Sequence, residues 1–267
     1  MKWTGSIYVW CACMIKIFPV PAFNDNYIWI GVNAEKQAFV VDPGDAAPAL
    51  NFLEKNQLSL SDILITHKHH DHTGGISALL SVFSDVSVFS HPAEQVTQTT
   101  QLVSGNDLFR VNECEFQVID IPGHTLGHVA YYCKPFLFCG DTLFTNGCGR
   151  IFEGTAEQMF SSLEKLMALP DDTQIYCGHE YTLSNITFAL AVEPNNAALK
   201  TRYDVVRQLR AQNKPTVPST LALERETNPF LRCHQSTVIE AASKNAGKKL
   251  INEIDVFAEL RRWKNTF

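Results

Sequence analysis

Residues 66–72 read Thr66-His67-Lys68-His69-His70-Asp71-His72, straight after the apolar run Ile63-Leu64-Ile65. Asp62–Thr66 has the character of a buried strand, so a strand delivers the chain to a cluster of imidazoles and a carboxylate. His67 and His69 are two apart and fall on the same side of an extended segment. Asp71 and His72 are adjacent, point to different places and can serve a second ion. Imidazole and carboxylate together suit zinc, iron or manganese better than calcium or magnesium. A His-rich surface loop is the competing reading, but the pattern is too specific for chance to supply readily.

Three further residues follow short apolar strands in the same way. His124 stands in Pro122-Gly123-His124-Thr125 after a strand at Phe116–Ile121. Asp141 follows Phe136-Leu137-Phe138-Cys139 and Gly140, and His179 follows a strand at Gln174–Cys177. Each alone is open to a structural role, as a loop imidazole or a turn-forming carboxylate. Repetition favours ligation, because strand ends in a layered fold converge on one edge of the sheet.

The rest of the chain fits such a fold. Tyr27–Val32 and Gln37–Asp42 flank Asn33-Ala34-Glu35-Lys36 as a hairpin, and Pro48–Lys55 reads as a helix. Gly74-Gly75 precedes a short helix at Ile76–Phe83, and strands are predicted at Val86–Ser90 and Val129–Cys133. Thr155-Ala156-Glu157-Gln158 resembles a capping box opening a helix to Leu169. Alternating strands and helices imply an α/β fold of sheets covered by helices. After about Tyr181 the strand signals stop. Leu183, Ile186 and Leu190 share a helical face, as do Leu199, Tyr203 and Val206, and a last helix is expected from Ile254 to Trp263. Residues 14–180 are therefore read as a catalytic domain and 181–267 as a small all-helical one.

Charge divides at the same place. Residues 1–180 hold 9 Lys and Arg against 20 Asp and Glu, net −11, while residues 181–267 hold 13 against 8, net +5. An acidic half suits metal cations; the basic part suits an anionic ligand or is a solvated helical surface. No stretch is long and apolar enough to span a bilayer. The eight cysteines form no CxxC pair, and several sit in strand-like runs as small hydrophobes, which points to a reducing cytoplasm. Residues 1–13 carry a weak signal-like apolar stretch, but Lys16 interrupts it and no cleavage site follows. They are read as a spurious or disordered extension ahead of Met14.

The order THxHxDH, a glycine-preceded His124, Gly140-Asp141-Thr142, then Gly178-His179 resembles the metallo-β-lactamase superfamily. More narrowly it is similar to the hydroxyacylglutathione hydrolases, the glyoxalase II family. The likeness extends through Pro21-Ala22-Phe23-Asn24-Asp25-Asn26-Tyr27, Gly147-Cys148-Gly149-Arg150, Val192-Glu193-Pro194-Asn195-Asn196 and Asn228-Pro229-Phe230-Leu231-Arg232. It implies an αββα sandwich followed by a helical substrate domain. It also implies two divalent metal ions, zinc first, with iron or manganese possible. One would be held by His67, His69 and His124, the other by Asp71, His72 and His179, with Asp141 and a hydroxide bridging them.

The implied reaction is hydrolysis of S-D-lactoylglutathione to glutathione and D-lactate, the second step of methylglyoxal detoxification. Asp71 and Asp141 would be its catalytic carboxylates. Arg150, Phe152, Tyr181, Arg261 and Lys264 would bind the substrate. Phe152 and Arg150 depart from members that carry Tyr and Lys there, and the lost hydroxyl is worth about 1 kcal/mol net. An iron-dependent persulfide dioxygenase of the same superfamily is the alternative; it shares the His run but normally lacks a long helical C-terminal domain. The expected partner is the glutathione thioester alone, with no nucleic acid or membrane, and a monomer is expected.

Overall fold

Side-chain alternation along Gln37–Val41 shows how the layers of the computed structural model are built. Phe39 and Val41 enter a core shared with a second sheet, while Ala38 and Val40 pack on the other side among helix residues, as the period of two requires. The structure describes residues 15–267, so the reading of residues 1–13 lies outside the described residues.

The first sheet runs in spatial order β1 (Lys16–Ala22), β2 (Asn26–Val32), β3 (Gln37–Val41), β4 (Ser59–Leu64), β5 (Ser87–Ser90) and β6 (Gln101–Leu102). β1 to β3 are antiparallel, and β3 to β6 are parallel. The second sheet begins with β7 (Leu108–Val111), β8 (Cys114–Asp120), β9 (Val129–Cys133) and β10 (Phe136–Gly140), in antiparallel succession. A small hairpin, β11 (Leu143–Phe144) with β12 (Gly147–Cys148), follows. β13 (Gln174–Cys177) then joins β10 in parallel, and β14 (Ser219–Thr220) closes that edge. Between the sheets the Phe39 ring stands edge-on to Phe116 at 5.4 Å and to Phe138 at 5.8 Å. Such pairs add about 0.5–1.5 kcal/mol each beyond the area they bury.

Helices cover both outer faces. α1 (Ala46–Asn56), the single turn α2 (His70–Thr73) and α3 (Ile76–Val82) follow strands of the first sheet; Ala49, Leu53, Ile76 and Leu79 join its outer core. α4 (Ala156–Met167) carries the capping box expected at Thr155 and Gln158 and packs Met159, Leu163 and Leu166 into the main core. The architecture is thus the αββα sandwich expected from the sequence.

The C-terminal segment contains α5 (Thr182–Val192), α6 (Ala197–Ala211), α7 (Leu221–Thr227), α8 (Ser236–Ala246) and α9 (Glu253–Thr266). It is helical, but not wholly so: Ser219 and Thr220 pair with Ile175 and Gln174, because the edge of β13 would otherwise be left open. Buried Glu224 pins this segment to the hairpin. It accepts from Asn146 N–H (2.7 Å), Ser219 Oγ (2.6 Å) and Asn228 Nδ2 (3.1 Å), and it pairs with the Arg202 guanidinium. Asn228 Nδ2 also donates to Gly147 O at 3.0 Å. The loop carrying Cys148, Gly149 and Arg150 is therefore held from the helical side.

Candidate metal centre and adjoining pocket

β4 ends at Leu64, the backbone bends at Thr66, and residues 67–69 run without regular structure until α2 begins at His70. His67 and His69 therefore reach the centre from the loop after the strand, while Asp71 and His72 hang from the first helical turn. His124, Asp141 and His179 arrive from the ends of β8, β10 and β13. The convergence expected of strand ends is what the fold provides.

His67 Nε2 and His124 Nε2 each lie 3.0 Å from His69 Nδ1. Four-coordinate zinc, with Zn–N near 2.0–2.1 Å, sets its nitrogens about 3.3 Å apart, so this tripod is close to the spacing of a metal site. Asp71 Oδ2 lies 3.6 Å from His72 Nε2 and 3.5 Å from His179 Nε2, which makes a second group. Asp141 stands between the two. Its Oδ1 is 3.5 Å from His72 Nε2, and its Oδ2 is 3.5 Å from His124 Nε2 and 3.3 Å from His179 Nε2.

The far nitrogens of four rings are engaged. His72 Nδ1 meets Asp42 Oδ2 at 3.0 Å, His124 Nδ1 meets Arg150 O at 2.8 Å, and His179 Nδ1 meets Asp25 Oδ1 at 2.8 Å. His67 Nδ1 meets Thr66 Oγ1 at 3.1 Å, and that hydroxyl donates onward to Asp42 Oδ2 at 2.6 Å. An acceptor on one ring nitrogen keeps the proton there and turns the other lone pair toward the centre. Asn26 Nδ2 similarly donates to Asp71 Oδ2 at 3.0 Å, and His128 Nε2 accepts the Asp141 N–H at 3.1 Å.

These residues fit a bound cation. His72 Nε2 and Asp141 Oδ1 are buried with no hydrogen-bond partner, although such atoms are nearly always paired. A cation between them would satisfy both. Burial holds the rings of His67, His124 and His128 below the usual imidazole range, so the two of them that face the centre are in the neutral, ligating form. Burial acts the same way on His72 and His179, but the carboxylates around them, Asp141 with Asp42 at His72 and Asp141 with Asp25 at His179, together outweigh it and raise both. Burial works against ionisation of Asp141 too, yet His72 and His179 hold its carboxyl well below the usual range. The centre is also too tight for a side chain at Gly178, where a Cβ would lie 2.6 Å from Asp141 Oδ1.

Beside the centre opens a cavity of about 470 Å³, and Arg150, Phe152, Tyr181, Arg261 and Lys264 all line it. The Tyr181 ring stacks on His179 at 4.7 Å, and the Phe152 ring stands edge-on to His124 at 5.1 Å. Arg261 is 5% exposed; its Nη1 donates to Cys148 O at 2.7 Å and its Nε is unpartnered. Lys264 Nζ lies over the Phe188 ring at 5.1 Å. Burial, then Arg261, brings the Lys264 ammonium down to about 8. No ion pair among the described residues uses Arg150, Arg261 or Lys264.

Of the other histidines, His70 is exposed and His91 caps a 3-10 turn by accepting from Ala93 N–H. Sequence reasoning passed over Asp25, Asn26 and Asp42, which orient the candidate ligands His179, Asp71 and His72. Asp42 ends β3 much as Asp141 ends β10, and that shared strand-end position was the available signal. Asp25 and Asn26 lie in the Pro21–Tyr27 run on which the family resemblance partly rested.

Comparison with known proteins agrees with this geometry. Residues 21–179 match the family model of the metallo-beta-lactamase superfamily, and residues 180–267 match that of the hydroxyacylglutathione hydrolase C-terminus. The chain is 51% identical over 256 residues to a hydroxyacylglutathione hydrolase of Nitrosomonas europaea, covering 95% of this chain and 97% of that one. It is 50% identical over 254 residues to hydroxyacylglutathione hydrolase 2 of Vibrio vulnificus, covering 95% and 100%. A protein solved in a di-iron-bound form superposes with a TM-score of 0.58 at 25% identity, covering 80% of this chain and all of that one. The chain belongs to the hydroxyacylglutathione hydrolase family of the metallo-β-lactamase superfamily.

Proposed function

We infer that the chain hydrolyses the thioester of hydroxyacylglutathiones, with S-D-lactoylglutathione as its substrate and glutathione and D-lactate as products. One observation carries the reading: a cluster of His and Asp donors opens directly onto a cavity lined by three cations that form no ion pair among the described residues. Glutathione brings two carboxylates, and unpaired cations are what carboxylates require.

His67, His69 and His124 would hold one divalent ion, and Asp71, His72 and His179 the other, with Asp141 shared. The donor set suits zinc first, and iron or manganese as well. Ions held there supply Lewis acidity, which polarises a carbonyl and brings the pKa of water down to about 7. Arg150, Arg261 and Lys264 take the peptide carboxylates and so place the thioester over the cluster. Anchoring of this kind makes attack on a positioned carbonyl effectively unimolecular. Asp71, kept ionised against burial by His72 and Asn26, orients the attacking water. Phe152 and Tyr181 flank the entrance. Water adds to the acyl carbon with loss of a proton to solvent, the C–S bond breaks, and the sulfur leaves as a thiolate that takes up a proton to give glutathione.

The C-terminal match over residues 180–267 supports thioester hydrolysis over persulfide oxidation. The direct test compares purified protein on S-D-lactoylglutathione and on the lactoyl thioester of N-acetylcysteamine, which lacks the carboxylates. A kcat/KM at least a hundredfold higher for the glutathione ester supports the reading. Equal rates, or sulfite release from glutathione persulfide with neither ester cleaved, would refute it.

A further inference from the structure

We propose that Glu94 is a positioning residue that sets the aperture of the first ligand group by tying together the two loops that form it. The proposal rests on the metal-binding reading above. Glu94 is 2% exposed and ends the 3-10 turn Pro92–Glu94 that follows β5, so it belongs to neither loop. Lys68 N–H, between His67 and His69, donates to Glu94 Oε2 at 2.6 Å. Gly127 N–H, three residues beyond His124, donates to Glu94 Oε1 at 2.8 Å. One buried carboxylate thus spans the His67–His69 segment and the His124 loop, with one oxygen on each.

The chemistry of the tie calls for a carboxylate. Two N–H donors converge on it, and only a group with two acceptor oxygens satisfies both; an amide would turn an NH₂ toward one of them. The approach is also close: a Cβ on Gly127 would lie 2.7 Å from Glu94 Oε1. Glu153 spans the same two loops, through Lys68 Nζ at 2.7 Å and Leu126 N–H at 3.1 Å. That bridge is solvent-exposed and correspondingly weak. The second ligand group does not depend on either tie. His72 is held by Asp42, His179 by Asp25 and Asp71 by Asn26. Loosening Glu94 should therefore separate His69 from His124 and leave Asp71, His72 and His179 in place.

The test is a zinc titration of the full chain against a competing chelator, with metal counted by mass spectrometry. A His69→Ala reference marks which binding step belongs to the first group. Glu94→Gln should weaken that step about 10–100-fold, the usual effect of removing a residue that orients ligands, and leave the other step unchanged. Glu153→Gln should leave both near the wild type. Gly127→Ala keeps the carboxylate but pushes the His124 loop away from the turn that carries Glu94, its Cβ meeting Glu94 Oε1 and His91 Nδ1 at 2.7 Å and Ala93 Cβ at 2.9 Å, and should reproduce the selective loss if Glu94→Gln does not fold. Wild-type affinity at both steps in either folded variant, or equal weakening of both, would overturn the proposal. A wild type that binds only one zinc ion would overturn the two-metal reading, and the proposal with it.

Discussion

Replacing Arg261 by Met removes a guanidinium but keeps an apolar stem where Arg261 Cζ now lies, 5.2 Å from the centre of the Phe230 ring. A hydrogen bond to a charged group is worth about 1.5–3 kcal/mol, and 1.4 kcal/mol is tenfold. KM for S-D-lactoylglutathione should therefore rise about 10- to 150-fold. kcat should hold, because the carboxylate contact is made equally in the ground and transition states. Stability should change little, since two effects oppose. Cys148 O loses its 2.7 Å donor, while a buried guanidinium with an unpartnered Nε is removed. A net of about 1 kcal/mol would move the melting temperature by about 2–4 °C. Steady-state kinetics and a thermal melt on the same preparation read both quantities. A fall in kcat at unchanged KM would refute the assignment of Arg261 to substrate anchoring.

Other perturbations test other parts of the account. Asp141→Asn should lower metal content and activity together, read by metal analysis beside the assay; full metal occupancy in an inactive protein would contradict the shared-ligand role. Lys264 is cationic below about 8 and loses its charge as pH rises through that value, so kcat/KM should fall above pH 8. Lys264→Arg should abolish that limb in a pH–rate profile. Glu224→Gln strands the buried Arg202 charge and should cost about 3–5 kcal/mol, measured by denaturant unfolding.

The candidate ligands were legible because their chemistry is dense in sequence. His67 to His72 stand within one turn of a strand end, and His124, Asp141 and His179 repeat the same strand-end position. Their supports were harder to find. A single Asp such as Asp25 or Asp42, or a Glu such as Glu94, looks like any turn former until the fold shows what accepts its hydrogen bonds. β1 was hidden by Pro19 and Pro21, which argue against a strand, yet it is an edge strand and tolerates them. β14 is two residues long and exists only because the edge of β13 needs a partner. α8 buries little beyond Val238 and Ala242, so its apolar periodicity is faint. Arg261 and Lys264 looked like an ordinary basic end of chain. Packing against Cys148 and Phe188 is what places them in the cavity wall.

The most direct test of the central claim is the rate of S-D-lactoylglutathione hydrolysis before chelation, after it, and after metal is returned. The account predicts rapid hydrolysis, loss of activity on chelation, and recovery once zinc, iron or manganese fills both ligand groups. Undiminished hydrolysis by protein shown to be metal-free would contradict it.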